Sequence, residues 1–199
     1  MSFFTKYSRT LLTAAVSVAV SAGSAAAQNG SFADGRDGQK YKTVTIDKQV
    51  WMAENLGFKT GESWCYENNA DNCKKYGRLY DWNTAKTACP KGWHLPSRNE
   101  WTRLMLTVGS KTGGKELKST SGWNKNGNGT DDYGFSALPG GRRYTDGSFR
   151  YLGMRGYWWA ATGIGSGYAY TRDIRHSKDV VEEDLNDKNE GYSVRCVQD

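Results

Sequence analysis

The spacing of apolar and polar positions changes several times along this chain, and each change marks an element. Tyr41, Thr43 and Thr45 alternate with Lys42, Val44 and Ile46, and after a polar link at Asp47-Lys48 the apolar run resumes through Val50, Trp51 and Met52. Period two on both sides of a two-residue link predicts a β-hairpin. From Gly77 the pattern shifts: Asp81 or Asn83 can cap a short helix carrying Trp82, Ala85 and Cys89 near one face, and Pro90 forbids its continuation. A second helix follows, because Ser97 and Glu100 form an S-x-x-E capping box and Trp101, Leu104, Met105 and Val108 recur at helical spacing. Gly109 stops it.

The stretch GGKELKSTSGWNKNGNGTDDYG has no sustained period, which predicts a long surface loop broken at most by one short helical turn. Period two then returns in GFSALPGGRR, FRYLGM, GYWWAAT and YAYTRDI, short aromatic runs separated by glycines, as in an antiparallel meander. VVEEDLNDKNE, with Glu182, Glu183, Asp184 and Asp187, reads as a charged exposed turn. A final strand has Tyr192, Val194 and Cys196 on one face and Ser193, Arg195 and Val197 on the other. Twenty-four glycines against three prolines add many tight turns to these few regular elements. The fold class is α+β and loop-rich, with two helices on an antiparallel sheet.

The first residues set the compartment. Lys6 and Arg9 precede the apolar run LLTAAVSVAV, and Ala25 and Ala27 supply an A-x-A site, which reads as a cleaved secretory signal over residues 1–27. The run is too short and too rich in Ser and Thr to span a bilayer. Residues 28–36 read as a flexible lead and residues 37–199 as a single domain. The formal charge of +6 loses two units with Lys6 and Arg9, and the remaining basic residues are interspersed with acidic ones, so nucleic acid is not the expected partner.

Four cysteines in an exported chain are most simply two disulfides, for which three pairings exist. The favoured one joins Cys65 to Cys73 across a short polar loop and Cys89 to Cys196 across most of the domain. That pairing leaves no thiolate to make a catalytic dyad of Cys89 and His94, and His94, between Trp93 and Leu95, is expected to bond to backbone. His176 is the only other histidine, and no zinc-type spacing surrounds either.

For calcium, the loop at Asn124, Asn126, Asn128 and Gly129 resembles the start of an EF-hand but has Phe135 where a bidentate Glu is required. Asn126, Asn128, Asp131 and Asp132 remain the weak oxygen-ligand candidates, and no cofactor is expected. Asn29 and Asn128 head glycosylation-type triplets, which matter only in a cell with that pathway.

Eight Trp and twelve Tyr carry more information. The adjacent Trp158 and Trp159 are expected in the core, on opposite faces of a strand. Rings in or beside glycine-rich loops can instead stack on a ligand, and Trp123, Tyr144 and Tyr151 lie there with Arg142, Arg143, Arg150 and Arg155. These seven residues are the candidate ligand-binding set.

The runs DGQKYKTVTIDKQVWMAENL, CYENNADNCKKYGRLYDWNTAKTACPKGWHLPSRNEWTRL, GFSALPGGRR, YWWAAT and GYSVRCV, in that order, closely resemble the Fibrobacter succinogenes major paralogous domain. More distantly, HLPSRNEW with a terminal SVRCV is similar to the C-type lectin-like and formylglycine-generating superfamily. That likeness implies a twisted antiparallel sheet, two helices, long ligand-bearing loops, and a long disulfide from the first helix to the last strand, in agreement with Cys89 to Cys196. The calcium and sugar motifs E-P-N and W-N-D are missing, and the cysteines are committed to disulfides as a formylglycine-generating enzyme's active-site pair would not be, so the likeness implies a fold without catalytic residues. Together these readings lead to an exported, non-catalytic binding module that recognises carbohydrate or a protein partner in the periplasm, at the cell surface or outside the cell. A secreted hydrolase using paired carboxylates, or an envelope component without a ligand, is the alternative.

Overall fold

The computed structural model describes Met1 and residues 28–199, so the secretory signal lies outside the described residues. The strands are β1 (Gln28–Ala33), β2 (Lys40–Ile46), β3 (Gln49–Met52), β4 (Ser63–Trp64), β5 (Leu79–Tyr80), β6 (Trp93–His94), β7 (Gly140–Arg143), β8 (Phe149–Leu152), β9 (Arg155–Ile164), β10 (Tyr168–Arg175), β11 (Val181–Asp187), β12 (Tyr192–Ser193) and β13 (Val197–Gln198). Between them run α1 (Ala70–Tyr76), α2 (Trp82–Ala88), α3 (Arg98–Val108) and α4 (Gly113–Leu117). One sheet has the order β1-β2-β3-β13-β6, and a second follows the path β11-β10-β9-β12-β5-β4, with β7 joined to both β8 and β9. The architecture is mixed α+β and mostly sheet.

Local signals are realised where they are strong. The β2–β3 hairpin turns at Asp47, whose φ of 55° is the left-handed conformation such a link requires. Asp81 caps α2 by accepting from the Thr84 amide at 2.8 Å. Ser97 and Glu100 cap α3 reciprocally, and Gly109 ends it at φ 87°. Each cap satisfies amide donors that a helix start leaves open.

Five expectations are corrected. The α-helices number four rather than two among the described residues, because α1 starts within the Cys65–Cys73 loop and α4 opens the glycine-rich stretch. Residues 28–33 are not a flexible lead but the edge strand β1, paired antiparallel with β2 over its whole length. The charged run is strand β11, zipped to β10 from Val181 to Asp187. Its carboxylates are used across the sheet: Glu183 pairs with Arg98 at 2.6 Å and Arg172 at 2.5 Å, and Glu182 pairs with Arg175 at 2.6 Å. The expected last strand is two short ones in different sheets, because the chain crosses from β12 beside β5 to β13 beside β3. The long loop is not wholly on the surface: Leu117 and Trp123 are core residues.

Trp158 and Trp159 lie on opposite faces of β9, and both are fully buried. Trp158 shares its core cluster with Trp101 of α3 and Trp51 of β3, whereas Trp159 packs with Tyr192, Tyr80 and Trp82 of α2. β9 is thus a buried middle layer, and emptying either tryptophan site would cost about 3–5 kcal/mol. Both disulfides pair as expected: Cys65–Cys73 across 8 positions and Cys89–Cys196 across 107.

The family-like runs converge on one knot. Arg195 is fully buried, and its guanidinium donates to Asn55 Oδ1 at 3.0 and 3.2 Å, to Ser136 O at 3.2 Å and to Phe135 O. Trp158 Nε1 donates to the same Asn55 oxygen at 2.9 Å, and Asn55 Nδ2 donates to Tyr76 O at 2.8 Å. AENL, GYWWAAT and GYSVRCV therefore meet at one buried amide. Burial pushes the Arg195 pKa down, to about 9.

Candidate functional site

β7 approaches β9 through a parallel contact between Gly141 and Gly156 that no side chain permits. A Cβ on Gly156 would lie 2.4 Å from the Trp158 ring and 2.6 Å from Leu138 O, and one on Gly141, at φ 69°, 2.6 Å from Arg150 O. The two glycines set the β7–β8 hairpin beside the first residues of β9. This brings Arg142, Tyr144 and Tyr151 over Arg155 and Tyr157.

Within the hairpin Arg142 pairs with Arg150, and Arg143 with Phe149. Strand alternation would send Tyr151 to the Phe149 side. Instead Tyr151 takes φ 71°, a left-handed conformation unusual for an aromatic residue, and its ring faces Arg142 at 5.6 Å and Arg155 at 4.7 Å. Strain of this kind costs about 1–3 kcal/mol and persists only where the surroundings impose it.

The arginines differ in what they leave free. Arg142 lies 3.9 Å above the Tyr144 ring, donates to the Tyr144 hydroxyl and to Tyr192 Oη at 3.1 Å, and meets Glu190 at 3.5 Å. Its Nε is buried without a partner among the described residues. Burial works against the Arg142 cation, but the Tyr144 and Tyr192 hydroxyls more than offset it, and its pKa is raised. Tyr192 in turn donates to Glu190 and stacks on Tyr157, with ring centres 5.3 Å apart. Burial and the Glu190 carboxylate hold the Tyr192 hydroxyl well above its ordinary range. Arg142 is thereby fixed from behind.

Arg155 is held more loosely, by a hydrogen bond to Tyr157 Oη at 3.1 Å and by the Tyr151 ring. Its remaining donors meet no carboxylate among the described residues. The exposed Arg150 reaches only its neighbour's carbonyl, Phe149 O, at 3.4 Å. Arg143 points the other way, stacking 4.0 Å over Trp64.

Of the seven candidates the structure unites Arg142, Tyr144, Tyr151 and Arg155, sets Arg150 at the rim, and places Arg143 on the opposite face of the hairpin. Trp123 is corrected: it is a core residue whose Nε1 donates to Ala137 O at 3.0 Å and Ser119 Oγ at 3.1 Å, so its ring cannot stack on a ligand. Two members escaped the sequence reading. Tyr192 had been read as an ordinary strand residue, and Glu190 as part of an acidic run; only the fold brings them beside Arg142.

The oxygen-ligand candidates hold loops together. Asp131 accepts from the Ser136 amide and hydroxyl at 2.6 and 2.5 Å, Asp132 from Thr130 at 2.8 Å, and Asn128 from the Trp123 amide at 3.0 Å, while Asn126 is an exposed left-handed turn residue. No group of three or more His, Cys, Asp and Glu side chains that could hold a metal occurs among the described residues. A separate cavity of about 400 Å³ is lined by Asn29, Lys42, Thr43, Asp131 and Ser136, among others, and shares no residue with the arginine and tyrosine cluster. The cluster is the better candidate because the Tyr151 ring is partly exposed and Arg155 keeps donors unused, whereas the Asp131 carboxylate is already bound to Ser136.

His94 does not bond to backbone as expected. It bridges Glu100 and Asp199 at 2.7 Å each, and Cys89 beside it is oxidised.

These features define a disulfide-stapled α+β domain that presents arginines and tyrosines from a strained hairpin. The chain belongs to the Fibrobacter succinogenes major domain family, whose model matches residues 44–198. No curated protein and no solved structure matches it.

Proposed function

We propose that this chain is an exported, non-catalytic binding module that recognises carbohydrate or an envelope protein through the cluster of Arg142, Tyr144, Tyr151 and Arg155. The observation that carries the proposal is the partly exposed Tyr151 ring, held in a strained conformation beside two guanidiniums, one fixed from behind and one with donors to spare. Stacking on a ring and donation to hydroxyls or carboxylates are the two interactions sugar recognition uses, and an aromatic and arginine pair serves protein partners as well. A C-type lectin-like scaffold is part of the reading. It is supported by the bridge from the end of α2 to the residue before β13 and by the shared sheet of β2, β3 and β13. The implied location is the periplasm, the cell surface or the medium.

The experiment is retention of the protein on cellulose, xylan and isolated cell walls, beside a Tyr144→Ala/Tyr151→Ala variant. Retention of the wild type that the variant loses is the expected result. No retention of the wild type, or equal retention of both, overturns the proposed surface.

One observation favours a second reading, a hydrolase. Asp173 and Glu182 are register partners on β10 and β11, and burial raises the Asp173 carboxyl pKa despite its bond to Arg175. Turnover of model glycosides abolished by Asp173→Asn would establish that reading, and its absence would remove it.

A further inference from the structure

We propose that the ligand of the arginine and tyrosine cluster carries a carboxylate on a sugar ring, that is, a uronate, and that Arg155 is the residue that reads it. The inference rests on the binding reading above and narrows it. It starts from the donors left over: Arg142 has turned its terminal nitrogens to Tyr144, Tyr192 and Glu190 and leaves only a buried Nε unpartnered among the described residues, whereas Arg155 makes one hydrogen bond and keeps its other donors. A guanidinium with an unused pair of N–H groups matches a carboxylate bidentately, which a neutral hydroxyl cannot reproduce.

The surroundings are predominantly basic, and Asp146 in the hairpin turn accepts from the Ser148 amide at 2.9 Å. Arg142, Arg150 and Arg155 converge on Tyr151; Glu190 is occupied by Arg142 and Tyr192, and the Asp173 carboxylate on the neighbouring strand is occupied by Arg175 at 3.0 Å. The Tyr151 hydroxyl reports the same field: the hydrogen bond with Tyr144 and the positive charges of Arg142, Arg155 and Arg150 hold it below its ordinary pKa. A flat aromatic face beside a free guanidinium suits a pyranose whose ring stacks while its carboxylate reaches sideways. A protein carboxylate lacks the flat ring, and a neutral glycan leaves the Arg155 donors unanswered.

The test is affinity electrophoresis of the mature chain in gels holding polygalacturonate, the same polymer with its carboxyls reduced to alcohols, and dextran sulfate. The expected result is retardation by polygalacturonate at least about tenfold stronger than by the reduced polymer, the size of one charge-assisted contact. Dextran sulfate should retard the chain less than polygalacturonate. Arg155→Gln should erase the preference while leaving the weaker retardation by the reduced polymer, and Arg155→Lys should restore it only in part. Equal retardation by acid and reduced polymers overturns the uronate inference but leaves a carbohydrate-binding surface standing. Retardation that follows total charge, with dextran sulfate strongest, overturns it as well, and no retardation by any polymer, with no retention on cellulose, xylan or cell walls, removes the binding reading too. The wild-type comparison does not depend on whether an Arg155 variant folds.

Discussion

Two arginines in this molecule are ringed by aromatic side chains, and they differ in every other respect. Arg195 lies 4.2 Å over Phe135, wholly buried, with its donors on Asn55 Oδ1 and two carbonyls. Arg142 lies 3.9 Å over Tyr144, half-buried, beside Arg155 with donors to spare and a tyrosine at φ 71°. The first arrangement is closed among the protein's own oxygens; the second leaves Arg155 N–H groups without a protein acceptor among the described residues. Buried polar networks that satisfy every member rigidify a fold, whereas strain and unused donors collect where a fold meets something else. An arginine among aromatic rings is therefore no sign of a binding site until its remaining donors are counted.

The comparison is broken most severely next to Arg195. Replacing Cys89 and Cys196 by alanine releases the 107-residue closure beside the knot and, on the chain-entropy account, removes about 4.8 kcal/mol. The short Cys65–Cys73 closure is worth about 2.5 kcal/mol on the same account. Denaturant midpoints of the two double variants should fall in that order. The reverse order would mean that the knot holds without its staple.

Arg195→Met keeps most of the side-chain volume and abandons the Asn55, Phe135 and Ser136 oxygens inside the protein. The expected loss is about 3–4 kcal/mol in urea unfolding. Arg155→Met, by contrast, should change stability by less than about 1 kcal/mol, because the only protein acceptor it abandons among the described residues is the Tyr157 hydroxyl. Equal losses at the two positions would erase the distinction between the arginines.

Tyr151 gives a sharper test, since stability and binding should separate there. Tyr151→Ala and Tyr151→Gly both delete the ring, but only glycine adopts φ 71° freely, so the glycine variant should be more stable than the alanine variant by about 1 kcal/mol. Both should lose ligand retention equally. If alanine were as stable as glycine, the backbone at Tyr151 would not be strained.

How much of this was legible in the sequence follows from how far each signal reaches. Asp81, Ser97 with Glu100, and Gly109 act within one helical turn, so the caps of α2 and α3 could be read directly. The cysteine pairing rested on export and loop length, which composition carries. β11 was missed because its stabilisation is not local: Glu183 looks like a solvated charge until Arg98 and Arg172 arrive from other elements. Trp123 looked like a loop ring because nothing nearby in sequence announces that Phe135 and Leu117 close over it. The arginines and tyrosines of the site stand in one glycine-rich stretch and were legible as a set. Their division of labour was not, since Tyr192 lies 50 positions from Arg142 and its role depends on the crossing between sheets.

The smallest expected effect concerns His94, which ties the capping-box Glu100 to Asp199 beyond β13. Burial opposes its charge, but the hydrogen bonds to Glu100 and Asp199 more than offset that, and its folded pKa lies above 6.5. Its contribution is thus complete below 6.5 and fades as pH rises through the folded value. Glu100 runs the opposite way: burial is outweighed by the Ser97 amide, the His94 ring and the Ser97 hydroxyl, its pKa falls below 4.5, and its contribution fades as pH drops through the folded value. The latch is therefore strongest between 4.5 and 6.5. Thermal melting from about pH 5 to about pH 9 should show the wild type losing stability relative to His94→Gln over the alkaline half, by a small margin because the ring is partly exposed. Parallel curves for the two proteins would mean that the ring titrates alike in the folded and the unfolded chain. A uronate-bearing polymer should leave the difference between the curves unchanged, since His94 shares no contact with Arg155 or Tyr151, and that independence would separate the joint of the fold from the face proposed to bind.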